Sequence, residues 1–337
     1  MPNKIIRSIC LFTEASGKSD EQTLKDISTL LARAAYQVQT LRIVTKEKNI
    51  RQLDSLWHDK NIFTGVGTLD RKESFAQLDD FLDAGNLSFN LEILDHVTSE
   101  DVGLLFEIIK SKPEKTFNFS YTFNNAVSSP FFPAAHFQQT GFSIGLQPTD
   151  LAEGCGSLHT WLFRMKESWE EIVALMARDE HFLGIDSSVA PMYEADGSLI
   201  HLMKRIHGTF CRSVTSESYV NISRFIKAEN PKPVGLNGLM FPCLEDFELA
   251  DEYENGEFSI ERNIFLSLHS GLGIDTYPIG IDEDPGRIRQ ILNLLLALAQ
   301  KYNKPLSARF VSDGKTRIGK RSDFRNIYLK DVVIRAL

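Results

Sequence analysis

The chain has 337 residues, 42% hydrophobic and 24% charged, globular proportions that exclude a disordered chain, a collagen-like repeat or a disulfide-stapled miniature fold. Lys and Arg number 37 against 45 Asp and Glu, and the net charge of -8 repels phosphate backbones and anionic lipid, so neither nucleic acid nor a membrane is an expected partner. At about 150 residues per domain the length allows two domains or one large α/β domain; no repeat or linker marks a boundary, and we expect a single domain over 1–337 with a weak subdivision near 130–150.

The first apolar run, 5–12, predicts a buried strand, and Ser19 with Gln22 has the spacing of a capping box opening a helix. Leu24, Ile27, Leu31 and Ala34 recur on one face of that helix. A strand over 38–44, a helix through Phe75, Leu78, Phe81 and Leu82, a strand over 89–94, a helical stripe over 102–109 and a period-two strand over 117–123 follow. After the break at Pro130 to Pro133, strands are expected over 142–146, 182–186, 236–241, 274–279 and 306–311. Helices are expected over 161–177, 199–206, 219–226, 260–268 and 285–302. Such alternation buries a mostly parallel sheet under helices, because each crossover needs a helix to return the chain.

Cys10, Cys155, Cys211 and Cys243 form no CxxC pair and no zinc spacing, which predicts reduced, buried thiols. Residues 1–12 lack the apolar core and cleavage site of a secretory signal, and the most apolar run, 291–299, is too short to cross a bilayer. A cytoplasmic location is expected.

Gly141, Ser143 and Gly145 spell GxSxG, the nucleophile elbow of serine hydrolases, but an elbow needs a helix directly after the serine, and Pro148 intervenes. A serine hydrolase using Ser143 stays as an alternative, testable with a fluorophosphonate probe. Gly17-Lys18-Ser19 and Gly314-Lys315-Thr316 are incomplete phosphate loops, with Phe12 and Arg309 where the leading glycine belongs. No dinucleotide fingerprint, HExxH or EF-hand loop is present, and no cofactor or metal is named by the sequence.

The acidic run from Glu245 through Glu257 reads as a solvated face, apart from Glu245 and Asp246, which follow an apolar strand and Pro242 directly. Strand ends are where parallel α/β architectures place their sites. Asp186, Ser187 and Ser188 stand at another strand end, where short polar side chains cap a turn or face a ligand. His136, in a Pro-rich loop, is the most site-like of the eight histidines. Arg309 alternates with Leu306, Ala308 and Phe310, and burying it requires a carboxylate or an anionic ligand.

Eight segments in order resemble one family: Ile6-Arg7-Ser8-Ile9, Val38 to Arg42, Pro130 to His136, Gly141 to Leu146, Gly184 to Ser188, Gly238 to Pro242, Gly271 to Thr276 and Lys304 to Arg309. Together they resemble the domain of unknown function 711 family. The resemblance implies an α/β barrel like that of the pyruvate formate-lyase glycyl-radical enzymes, with mostly parallel strands and outer helices. It does not imply radical chemistry, since Arg317-Ile318-Gly319-Lys320 departs from the glycyl-radical loop.

The resulting expectation is a barrel enzyme acting on a small anionic metabolite. Asp186, Glu245, Asp246 and His136 are the candidate acids and bases, and Arg309, Ser187, Ser188 and Asp275 the substrate contacts. A non-catalytic binding or scaffold protein is the alternative, and a homodimer pairing through outer helices is expected by analogy.

Overall fold

The structure, a computed structural model, describes residues 4–337. Ten strands form one sheet: β1 (Lys4–Thr13), β2 (Tyr36–Val38), β3 (Leu41–Thr45), β4 (Phe63–Leu69), β5 (Leu87–Glu92), β6 (Phe119–Phe123), β7 (Gly141–Leu146), β8 (Phe182–Asp186), β9 (Gly273–Pro278) and β10 (Leu306–Val311). The order is β8-β7-β1-β3-β4-β5-β6-β10-β9, with β2 beside the start of β1. Pairing is parallel except at two seams, β1 with β7 and β6 with β10. The first six strands therefore run one way and the last four the other, joined by the loop between β6 and β7. Residues 233–242 bridge Pro233 to Ile185 and Leu239 to Val189 on the β8 side, then Leu239 to Gly271 and Pro242 to Asp275 on the β9 side.

Helices cover one face. Ile9, Leu11, Ile43, Phe89 and Tyr121 point into the main core with helix residues such as Leu24, Leu105 and Trp161. The opposite face carries Ser8, Cys10, Arg42 and Asn90, and the loop between β6 and β7 lies against it. Ser8 Oγ and an Arg42 Nη1–H donate to the Pro130 carbonyl at 3.2 and 3.0 Å, and the Asn90 amide donates to the Pro133 and Ala135 carbonyls. Glycines clear the room: a Cβ on Gly65 would sit 3.2 Å from the Phe132 ring, and one on Gly145 3.0 Å from Phe131 and Pro130. The GxSxG spelling thus has a packing cause at its second glycine.

Most expected elements are present, with local corrections. The helix Ser19–Arg33 has no side-chain cap from Ser19; instead Asp20 accepts from Ser16 Oγ and the Gly17 N–H. The strand expected over 38–44 is two, β2 and β3, broken at Gln39 and Thr40, and the helix over 75–82 is two short ones, Arg71–Ala76 and Leu78–Asp83. The helix Ile50–Trp57 and β4 have no counterpart among the expected elements; β4 (FTGVGTL) has little apolar alternation. The segment 236–241 makes only isolated bridges, since Pro233 and Pro242 lack an N–H and Gly235 and Asn237 have positive φ. The acidic run opens into a helix, Phe247–Glu254, rather than a purely solvated face: Glu248 and Glu252 pair with Lys204, and Glu248 with His201. All four cysteines are free, and Cys211 is only half-buried. No described helix is long and apolar enough to cross a membrane.

Candidate functional site

A cavity of about 260 Å³ opens where the early strands begin and the late ones deliver residues from their middles and ends. Arg7 comes from β1, Arg42 from β3, Phe63 from β4 and Ser88 from β5; Asp275 and Arg309 come from β9 and β10, and Glu245 follows the bridging segment. The loop contributes Phe131, Phe132 and Pro133, and the C-terminal segment contributes Tyr328.

Two irregularities in the ladders aim the charged groups. Ile6 pairs with Leu146 and Ser8 with Gly145, so Arg7 is an extra residue with no opposite number. Ile6 and Ile9 then both face the helices, while Ser8 turns inward and Arg7 reaches the cavity. Likewise Ala308 pairs with Ile274 and Phe310 with Tyr277, setting Asp275 and Thr276 against the single Arg309. Such bulges re-aim side chains next to active sites. The second carries strain: Thr276, β-branched and buried, has φ of 39°, and its hydroxyl has no partner.

Three guanidiniums and two carboxylates line the cavity. Arg309 has carboxylate partners: its Nε–H donates to Asp275 at 2.7 Å, an Nη2–H to Glu245 at 2.5 Å and an Nη1–H to the Phe117 carbonyl at 3.2 Å. Glu245 also lies 3.5 Å from Arg7. Arg42 is different. Its side chain donates to Thr40 Oγ1 and the Pro130 carbonyl, its guanidinium lies 5.0 Å from the Phe132 ring centroid, and no carboxylate among the described residues pairs with it. Burial first, then the Arg7 charge, pushes Arg42 down to about 9, so at neutral pH it remains a buried cation. Burial also raises the Glu245 carboxyl above the usual range, against the pull of Arg309 and Arg7 and with the help of Asp275.

The other expected residues lie elsewhere. Asp186, at the end of β8, accepts from Ser129 Oγ at 2.7 Å, the Ser188 N–H at 3.0 Å, Ser188 Oγ at 2.6 Å, and the N–H groups of Leu236 and Asn237 at 2.8 and 3.2 Å. It ties the loop to the bridging segment and does not line the cavity. Ser187 is held by Asn230 and Asn237, and Ser188 Oγ accepts from the Gly238 N–H. His136 lies beside Gly67 of β4, where a Cβ would sit 3.6 Å from the His136 Cα, and does not line the cavity. Ser143 lies inside β7 opposite Cys10, fully buried, with no partner for its hydroxyl and no helix at its shoulder, so the strand-to-helix elbow is not formed. Of the expected set, Glu245, Asp275 and Arg309 come together. Arg7 and Arg42 were missed. A lone arginine between Leu41 and Ile43 in an apolar strand was the available signal for Arg42; the bulge at Arg7 left none. Among the described residues, no three His, Cys, Asp or Glu side chains converge as a metal set would.

Asp246 caps the helix Phe247–Glu254 through the Leu249 N–H and takes donors from Ser198 and Leu199. Burial outweighs these bonds and pushes it up to about 7 from 3.8. The folded state then holds a proton that the unfolded state has released, so this group's contribution to stability is full below about pH 4 and lost as pH rises toward 7. We expect Asp246→Asn to flatten that part of the stability profile, read as urea midpoints across pH 4 to about 7; an unchanged slope would mean that Asp246 is ionised throughout.

A family model described as Uncharacterised ACR (DUF711) matches residues 106–325, well over half of the chain. No curated protein matches it.

Proposed function

Given that the chain belongs to the uncharacterised DUF711 family, we propose that its sheet closes as an α/β barrel whose cavity binds a small anionic metabolite and moves a proton on it. What supports closure is the segment 233–242, bridged toward β8 on one side and β9 on the other. The observation that carries the binding reading is Arg42, a buried guanidinium beside a second one, facing a cavity, without a carboxylate partner among the described residues. A buried cation left so is expensive, and an anionic ligand supplies the missing charge.

In this reading Arg42 and Arg7 hold the anion. Glu245 is the acid/base group: burial favours its protonated form, while Arg309 and Arg7 keep the ionised form accessible, and such opposed influences bring a carboxyl toward the range useful near neutral pH. Asp275 positions Arg309 and thereby Glu245.

The test is thermal denaturation of the full chain with small mono- and dicarboxylates, followed by ¹H NMR of any binder in D₂O. At least one anion should raise the Tm of the wild type and not that of Arg42→Met, and its acidic C–H should exchange. Glu245→Gln should bind the same anion and exchange it about 10²–10⁴-fold more slowly. If no anion protects the wild type, the binding reading fails; if binding occurs without exchange, the protein is a binding module.

A further inference from the structure

The apolar walls of this cavity narrow the ligand further than its charge alone. Phe63, Phe117, Phe132, Tyr328 and Met240 are only partly covered, whereas most other phenylalanines in the sheet, such as Phe89, Phe119 and Phe142, are fully buried. All five surround the same hollow. Rings left uncovered together inside a cavity mark a place for another apolar group. Phe117 and Tyr328 stack with centroids 6.2 Å apart and planes 7° from parallel, the Arg309 guanidinium lies 4.9 Å from the Phe117 centroid, and Phe63 lies opposite Arg42 across the β3–β4 ladder.

The charge count limits the head group. Of the five charged lining residues, three are cationic and two are carboxylates, which with both carboxylates ionised leaves one positive charge to neutralise. Arg42 uses its Nε–H on Thr40 and an Nη1–H on Pro130, which leaves mainly its Nη2 edge for a ligand. That edge matches one carboxylate better than a phosphate, whose three oxygens and second charge call for more donors. The volume, about 260 Å³, lies just below the roughly 300–1,000 Å³ of drug-sized pockets, so the occupant is small.

Resting on the anion-site reading above, we infer that the ligand is a monocarboxylate carrying a flat aromatic ring, its carboxylate on Arg42 and Arg7 and its ring among Phe63, Phe117 and Tyr328. Titration calorimetry of the full chain with phenylacetate, cyclohexylacetate, acetate and inorganic phosphate tests it. Phenylacetate should bind about 10-fold or more tightly than acetate or phosphate, and more tightly than cyclohexylacetate. Phe63→Leu and Tyr328→Leu should each weaken phenylacetate several-fold and leave acetate unchanged, a pattern that misfolding would not produce. If acetate or phosphate binds as tightly as phenylacetate, or cyclohexylacetate binds as well, the aromatic assignment falls and the anion site stands. If phenylacetate binds equally to wild type and Arg42→Met, or nothing binds, both fall together.

Discussion

Replacing Asp186 with alanine should lower the free energy of unfolding by about 3–5 kcal/mol, since several buried donors lose their acceptor together, at about 1–3 kcal/mol for each left unsatisfied. The carboxylate accepts from Ser129 on the loop, Ser188 beyond its own strand, and Leu236 and Asn237 on the bridging segment. Each donor loses its partner at once, in a place water does not reach. Asp186→Asn keeps the shape but turns one acceptor into a donor aimed at other donors, and should fall between wild type and alanine. Gly235→Ala should damage the same junction from the other side: its Cβ would lie 2.2 Å from Asp186 Oδ2, at a φ of 80° that favours glycine. Urea denaturation of the three variants measures this. A loss below about 1 kcal/mol for the alanine variant would show that the loop is held mainly by its other contacts.

The reverse sign is expected at Arg42. Arg42→Met removes a buried charge that no carboxylate among the described residues pairs directly and that Glu245 offsets only from a distance, and it keeps an unbranched side chain of similar reach, so the unliganded protein should gain about 1 kcal/mol or more. The same change removes the ligand's main ionic contact. A carboxylate at 100 times its Kd, which should protect the wild type by about 2.7 kcal/mol, should protect the variant by close to nothing. A more stable but unresponsive protein is the signature of a residue retained for binding at the expense of stability. If Arg42→Met is instead destabilised by more than about 2 kcal/mol, the guanidinium serves mainly to hold Pro130 and Thr40, and the proposed anion is not needed to explain it.

Much of the architecture is legible in the residues. Alternation in β7 and β10 and helical periodicity in Ser19–Arg33 and Pro285–Tyr302 survive because these elements bury one consistent face against the helical layer. β4 is hard to recognise for a physical cause: Gly65 makes room for the Phe132 ring and Gly67 for the backbone at 135–137, so the segment lacks the side chains by which a strand is recognised. The two antiparallel seams are invisible for another reason, since strand direction depends on partners more than a hundred residues apart, such as Ile9 with Ile144. At the site, Arg309 is legible because a charge interrupts an apolar strand and needs a counter-charge, which Glu245 and Asp275 supply. Asp186 and Asp246 have the same outward signature, an acid at the end of an apolar run, yet both are consumed by backbone and serine donors. Letters alone do not separate a carboxylate that faces a hollow from one that fastens a turn.

The unpaired residue in β1 has an evolutionary corollary. Because the ladder resumes on either side of Arg7 with its greasy face toward the helices, deleting that one codon would leave both flanking stretches in phase with β7 while erasing a charged contact from the hollow. On its other edge, however, β1 keeps one register through Arg7, Ile6 with Val38 of β2 and Ile9 with Leu41 of β3, so the same deletion would set half of β1 a residue out of step there; the charged contact is tied to the scaffold by that edge and is not lost by so small a genetic step.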